Sequence, residues 1–180
     1  MKYNLYILLF FIMFSKPAWS QQASRVNWMT WEQAVSRTKN DPRKIMVHIY
    51  TEGCNPCKYM DNTTFASQEV VDLINKKFYS VKLDAKSKDA LKYDGKNLEY
   101  KCSAGSCFHE LAWELTGGSL SFPSVIFLDE GQANIGAIPD YKDANQFLLY
   151  VEYYGFGFSS KMPFSKYPSY RKKHGFAHKN

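Results

Sequence analysis

The chain has 180 residues and a formal net charge of +6, a length that accommodates one ordinary domain with its own core and hardly two. The charge does not indicate a nucleic-acid-binding face, because residues 156–180 contain six basic residues and no acidic one. Without that segment and without Lys2 and Lys16 near the N-terminus, the rest of the chain carries −2. We therefore expect no nucleic-acid partner. We interpret residues 156–180 as a basic, solvated C-terminal tail, with contact to an anionic lipid or polymer as the alternative.

The first twenty residues have the organisation of a secretory signal peptide. Lys2 supplies a positive start, residues 5–14 (LYILLFFIMF) are apolar, and residues 18–20 (AWS) form a small-x-small cleavage site. The alternative is an uncleaved membrane anchor, but the apolar run is shorter than the roughly 20 residues that a membrane span needs. We predict cleavage near Ser20 and a mature chain that is periplasmic or secreted, where disulfides persist.

Helices and strands alternate in the first half of the mature chain. Thr30 stands three residues before Gln33 in a capping-box pattern, which starts a helix that we expect to end near Asn40. The nearly continuous apolar run Lys44–Tyr50 is typical of a buried central strand. Helices are predicted at 57–65 and 68–78, and a second strand at 79–83.

The second half begins with the least regular segment. Residues 85–106 are polar with weak periodicity, so we expect an insertion or a long loop. A helix at 108–116 is stopped by Gly117 and Gly118. Two apolar runs separated by a Gly-containing turn predict a β-hairpin after Pro123, and residues 143–154 predict a closing amphipathic helix. The predicted order is α-β-α-β-α-β-β-α.

Cys54 and Cys57 lie two residues apart, between the apolar strand and the following helix. A cysteine at a helix N-terminus faces unpaired backbone N–H groups and the positive end of the helix dipole, which favours the thiolate. The spacing alone fits a redox centre, half of a metal site or a structural staple. So small a disulfide ring closes little chain entropy, which argues against the staple.

Together with "SFPS" at residues 121–124, this pair and the order of elements resemble the thioredoxin superfamily over residues 28–154. The chain is most similar to secreted, periplasmic-type thioredoxin-like proteins and to the thioredoxin-like domain of the membrane reductant conductor DsbD. The resemblance implies an α/β thioredoxin fold, with a central mixed sheet flanked by helices and an insertion before the helix at 108–116. It places a single thioredoxin-like domain at residues 21–155.

The resemblance also implies site residues. Cys54 would attack a substrate disulfide, and the more buried Cys57 would resolve the mixed disulfide. Pro123, preceded by Phe122, matches the family's cis proline, which faces the active-site disulfide, blocks metal binding and lets substrate backbone pair beside it. The family usually has tryptophan before the first cysteine, whereas this chain has Gly53 and so lacks that aromatic shield.

His48 occupies the position, six residues before Cys54, where many thioredoxins have a buried aspartate that relays a proton to the resolving thiol. An imidazole can take the proton that Cys57 must lose, so we include His48 among the candidate catalytic residues. The alternative is a packed histidine with one satisfied nitrogen.

The second cysteine pair, Cys102 and Cys107, has three interpretations. In an oxidising compartment a structural disulfide that pins the insertion is favoured. A second redox pair that passes electrons to Cys54 and Cys57 is the alternative. A metal site that includes His109 is disfavoured, because the spacing fits no common zinc pattern.

These features predict an exported thiol–disulfide oxidoreductase that needs no metal and no cofactor beyond its own dithiol. Asn55 and Pro56 lie between the cysteines without a histidine or arginine, so thiolate stabilisation is modest and the pair is expected to be reducing. We expect a monomer that acts on disulfide-containing exported proteins and is kept reduced by a membrane electron donor. The alternatives are a thiolate-based Cu(I)-binding protein and a thioredoxin-fold interaction module without turnover.

Overall fold

A computed structural model describes residues 25–103 and 105–175. The predicted signal peptide and its cleavage site lie outside these residues. The strands are β1 (Trp28–Met29), β2 (Lys44–Tyr50), β3 (Phe78–Asp84), β4 (Leu91–Tyr93), β5 (Lys96–Leu98), β6 (Tyr100–Ser103), β7 (Ser106–His109), β8 (Ser124–Leu128) and β9 (Asn134–Pro139). The α-helices are α1 (Trp31–Thr38), α2 (Asn55–Asn62), α3 (Gln68–Lys77), α4 (Glu110–Leu115), α5 (Ala144–Gly155) and α6 (Tyr167–His174). Short 3₁₀ turns lie at Thr64–Ala66, Phe158–Ser160 and Phe164–Lys166.

The central sheet is mixed and has the strand order β1-β3-β2-β8-β9. Strands β1 and β2 run parallel to β3, whereas β8 is antiparallel to β2 and to β9. Strand β2 lies in the middle, and its five inner residues are buried, as its apolar sequence predicts. The predicted fold class, a central mixed sheet flanked by helices, is confirmed.

Helices cover both faces of the sheet. One face packs against side chains of α2, α3 and α5, among them Met60, Val70, Ile74, Phe147 and Val151. The other face packs against side chains of α1 and α4, among them Trp31, Ala34, Leu111 and Leu115. The capping box of α1 is present, since the Thr30 side chain accepts from the Gln33 backbone and the Gln33 side chain accepts from the Thr30 backbone.

The insertion contains regular structure that the sequence analysis did not identify. Strands β4 and β5 form one antiparallel ribbon, and β6 and β7 form another. Asp94 and Gly95 both have positive φ, which suits the tight turn between β4 and β5. Leu91 and Leu98 anchor the first ribbon because both are buried in the core of the α1 face.

The solvated tail is a wrong prediction for residues 156–175. The side chains of Phe158 and Tyr167 are buried in the core of the α5 face, and α6 packs on α5. Arg171 donates two hydrogen bonds to the fully buried carboxylate of Glu152, at 2.6 and 2.9 Å. One of the six basic residues is therefore the counter-ion of a buried acid, and the aromatic residues of this segment extend the core.

Among the described residues, no helix has both the length and the apolar character needed to cross a membrane.

Candidate active site

The Cys54–Cys57 pair lies at the N-terminus of α2, directly after the loop that leaves β2. Cys54 is the N-cap residue, and the Cys57 backbone N–H donates to its sulfur at 3.1 Å. The two sulfurs form a disulfide of 2.05 Å. Cys54 is half-buried, whereas Cys57 is only 2% exposed. This asymmetry makes the Cys54 sulfur the more accessible target of the two, in the order that the sequence predicts.

The Phe122–Pro123 peptide bond is cis, as the resemblance to thioredoxins implied. Strands β2 and β8 are in register with Ile49 opposite Ser124, the residue after Pro123. Pro123 therefore lies at the end of the sheet where β2 continues into the Cys54 loop. The substrate-binding roles of Phe122 and Pro123 stay predictions.

A cleft of about 360 Å³ adjoins the disulfide. It is lined by both cysteines and by Tyr50, Thr51, Glu52, Gly53, Lys58, Asp61, Lys82 and Asp84. Within it, the Lys82 ammonium donates to the Asp61 carboxylate at 2.7 Å. Asp61 lies four residues after Cys57, and this spacing puts both side chains on the same face of α2.

Asp61 and Lys82 are not among the site residues predicted from the sequence. The i,i+4 spacing from Cys57 was a readable signal for Asp61. Lys82 reaches the site only through the pairing of β3 with β2, where it stands opposite His48.

His48 is fully buried on the α2 face of the sheet, and neither ring nitrogen has a hydrogen-bond partner among the described residues. Its Nε2 lies 3.6 Å from an Asp61 oxygen, too far for a hydrogen bond. Burial lowers the pKa of His48 to about 4, opposed by the Asp61 charge and assisted by that of Lys82. His48 is therefore neutral at pH 7, so its contact with Asp61 is not an ion pair there.

The Trp28 and Phe65 rings flank His48, with ring centroids at 6.0 and 4.9 Å. His48 does not line the cleft, and Asp61 is the polar residue that connects it to the cleft. Its catalytic role stays a prediction.

The charges around the cleft do not favour a strongly stabilised thiolate. The acidic residues Glu52, Asp61 and Asp84 outnumber Lys58 and Lys82, and Lys82 is already paired with Asp61. A negative surrounding raises the free energy of a thiolate and opposes the effect of the helix dipole.

The second pair, Cys102 and Cys107, also forms a disulfide in the structure. The two residues stand directly opposite each other in the β6–β7 ribbon. That this disulfide pins the insertion stays a prediction. In the described part of the chain, no group of three or more His, Cys, Asp or Glu side chains is arranged to hold a metal ion.

Comparisons with known proteins agree with this fold. The model of a family described as "Thioredox_DsbH: Protein of unknown function, DUF255" matches residues 15–102. A thioredoxin-fold protein from Helicobacter pylori is 16% identical with a TM-score of 0.57, over 74% of this chain and 86% of that one. A DsbH oxidoreductase is 16% identical with a TM-score of 0.52, over 78% of this chain and 88% of that one.

The DsbD C-terminal domain of Neisseria meningitidis, in its oxidised form, is 16% identical with a TM-score of 0.47, over 68% of this chain and 90% of that one. No curated protein sequence matches the chain. The Helicobacter pylori protein and the DsbH oxidoreductase confirm the resemblance to thioredoxin-fold proteins that the sequence predicts.

Proposed function

Because this chain is a thioredoxin-fold protein, we propose that it is an exported thiol–disulfide oxidoreductase that reduces disulfides of other proteins. The observation that carries the proposal is the Cys54–Cys57 disulfide at the N-terminus of α2, with its half-buried first sulfur and buried second sulfur. In such a pair the Cys54 sulfur exchanges with the partner's sulfur, and the buried Cys57 sulfur then resolves the mixed disulfide.

In the reducing direction, the reduced chain presents a Cys54 thiolate at the helix N-terminus. This thiolate attacks one sulfur of a substrate disulfide, so that a mixed disulfide forms and the other substrate sulfur leaves as a thiolate, which takes a proton from water. The Cys57 thiolate then attacks Cys54 and releases the second substrate thiol. Two electrons pass to the substrate, and the Cys54–Cys57 disulfide re-forms.

The second step requires Cys57 to lose a proton while it is buried. A candidate acceptor in the cleft is Asp61, one helical turn along α2 from Cys57 and hydrogen-bonded to Lys82 at 2.7 Å. Lys82 holds the carboxylate in place, and His48 packs behind it. We assign Asp61 the role of proton acceptor. His48 packs against Asp61 without a hydrogen bond, and we assign it the role of positioning the Asp61 carboxylate.

Reduction is the favoured direction because the Cys54 thiolate receives little stabilisation. Asn55 and Pro56 carry no charge, and the acidic residues of the cleft oppose the helix dipole. A dithiol whose thiolate is only modestly stabilised gives up its electrons more readily.

Substrates in this proposal are disulfide-containing exported proteins, and a membrane electron donor regenerates the dithiol. Export rests on the signal-peptide pattern of residues 1–20.

Insulin reduction with dithiothreitol as the electron source tests the proposal. The wild-type protein should accelerate precipitation of the insulin B chain, and Cys54→Ser should abolish the acceleration. Cys57→Ser should instead accumulate mixed disulfides through Cys54 with exported, cysteine-containing proteins. A wild-type protein with no activity above dithiothreitol alone would leave an interaction module as the better description.

A further inference from the structure

The Cys102–Cys107 disulfide is exposed and lies outside both core clusters. Cys102 is exposed and Cys107 is half-buried, an asymmetry like that of Cys54 and Cys57. Neither residue belongs to a hydrophobic core cluster. Cys102 is therefore the accessible side of this disulfide, and access is the first requirement for thiol–disulfide exchange.

The two faces of the β6–β7 ribbon differ. Phe108 stacks on Trp113 of α4 at a centroid distance of 4.8 Å. Because neighbouring side chains of a strand point to opposite faces, the Phe108–Trp113 stack lies on one face and the disulfide on the other. The aromatic contact attaches the ribbon to α4 and leaves the disulfide face open.

The base of the ribbon is held without the disulfide. The His109 backbone N–H donates to Ala85 O at 2.7 Å, and the Ala85 N–H donates to Tyr50 O at 2.8 Å. The His109 ring accepts from the Leu111 N–H through Nδ1 and donates to Asp89 O through Nε2, at 3.0 and 2.8 Å. The base of the ribbon is therefore attached to the domain by contacts that do not involve the disulfide.

The same contacts place the second disulfide at the active-site end of the molecule. Tyr50 is the last residue of β2, four residues before Cys54. Cys107 lies two residues along β7 from His109, a distance of roughly 7 Å in an extended strand.

We propose that Cys102–Cys107 is a second thiol-exchange site, whose partner is a dithiol. A thiolate of the partner attacks the exposed Cys102 sulfur, the Cys102–Cys107 bond breaks, and Cys107 leaves as a thiolate that takes a proton from water. The partner's second thiolate then attacks the partner's first sulfur, which is bonded to Cys102 in the mixed disulfide, and Cys102 is released as a thiolate. Two electrons pass from the partner dithiol, which becomes a disulfide. The partner dithiol belongs to another protein or to the reduced Cys54–Cys57 pair.

Titration with reduced thioredoxin, followed by differential alkylation and mass spectrometry, tests the proposal because it reads each cysteine pair separately. The full chain is compared with a Cys54→Ala/Cys57→Ala variant. Because the variant lacks the first pair, its result does not depend on the proposed reductase activity. We measure the ratio of reduced to oxidised thioredoxin at which each cysteine pair is half-reduced. We expect the ratio for Cys102–Cys107 to lie within about tenfold of the ratio for Cys54–Cys57. Equal reduction in the variant identifies another protein as the donor.

Reduction in the full chain alone would identify Cys54–Cys57 as the donor and would still support exchange. A Cys102–Cys107 pair that stays oxidised in both proteins, at a ratio that fully reduces Cys54–Cys57, would overturn the proposal and leave a structural staple. A thioredoxin variant without its resolving cysteine gives a second readout, because it stays bound in the mixed disulfide. It should be captured on Cys102, and capture on Cys107 would contradict the order of attack.

Discussion

The buried imidazole of His48 should make the stability of this protein depend on pH in the weakly acidic range. The side chain is fully buried, neither ring nitrogen is hydrogen-bonded to any residue that the structure describes, and burial lowers its pKa from 6.5 to about 4. In the unfolded chain the imidazole regains its ordinary pKa. Between these two values the unfolded state binds more protons than the folded state, so lowering the pH favours unfolding.

The size of the effect follows from the shift. The difference between a pKa of 6.5 in the unfolded chain and one of about 4 in the folded protein corresponds to about 3 kcal/mol, at about 1.36 kcal/mol for each pH unit. This part of the free energy of unfolding is fully present above pH 6.5, where His48 is neutral in both states, and it is lost progressively as the pH falls toward 4. A loss of that size is a large fraction of the stability of an ordinary domain, about 5–15 kcal/mol.

Urea unfolding at several pH values between 7.5 and 4 measures this loss, with His48→Leu as the perturbed protein. Asp41, Glu110 and Glu130, whose pKa values are lowered mainly by hydrogen bonds from side chains, are present in both proteins, so their contributions cancel in the comparison. The difference in stability should move in favour of His48→Leu by about 3 kcal/mol as the pH falls. His174→Ala, which removes an exposed histidine, is the matched control.

Parallel pH profiles for wild type and His48→Leu would refute this reasoning. So would an NMR titration in which the His48 ring protonates near pH 6.5.

Two further predictions concern Asp61 and Arg171. Asp61→Asn should slow resolution of the mixed disulfide by Cys57 about tenfold or more in stopped-flow measurements, because the amide cannot accept the proton. Asp84→Asn, another acid of the cleft, should not slow it, and equal slowing by both would indicate a general loss of charge. Arg171→Ala should lower the free energy of unfolding by about 3 kcal/mol, because it removes both charge-assisted hydrogen bonds that the guanidinium donates to the buried Glu152 carboxylate. A loss below about 1 kcal/mol in urea unfolding would show that water or another group replaces the guanidinium.

The sequence was sufficient for the elements that bury a continuous apolar face. Strand β2 is a nearly unbroken apolar run, and α1 carries its own capping box at Thr30 and Gln33. Cys54 and Pro123 could be assigned because each matches a family motif at a fixed place in the order of elements. Local pattern and motif position were enough in these cases.

Apart from Asp61, the features that were not predicted depend on contacts between residues that are distant in sequence. Arg171 finds Glu152 nineteen residues away, and only that contact turns a basic segment into part of the core. Lys82 enters the site through strand pairing, and the buried side chains of Leu91 and Leu98 anchor an otherwise polar insertion. None of these contacts leaves a periodic signal in the sequence.

The redox potential of the Cys54–Cys57 pair tests the central claim most directly. Equilibration in glutathione and dithiothreitol buffers, with mass spectrometry of alkylated peptides, measures this pair separately from Cys102–Cys107. The proposed reductase requires a potential near the value of about −270 mV that reducing thioredoxins have. A potential near about −120 mV, the value of the strong oxidant DsbA, would contradict it.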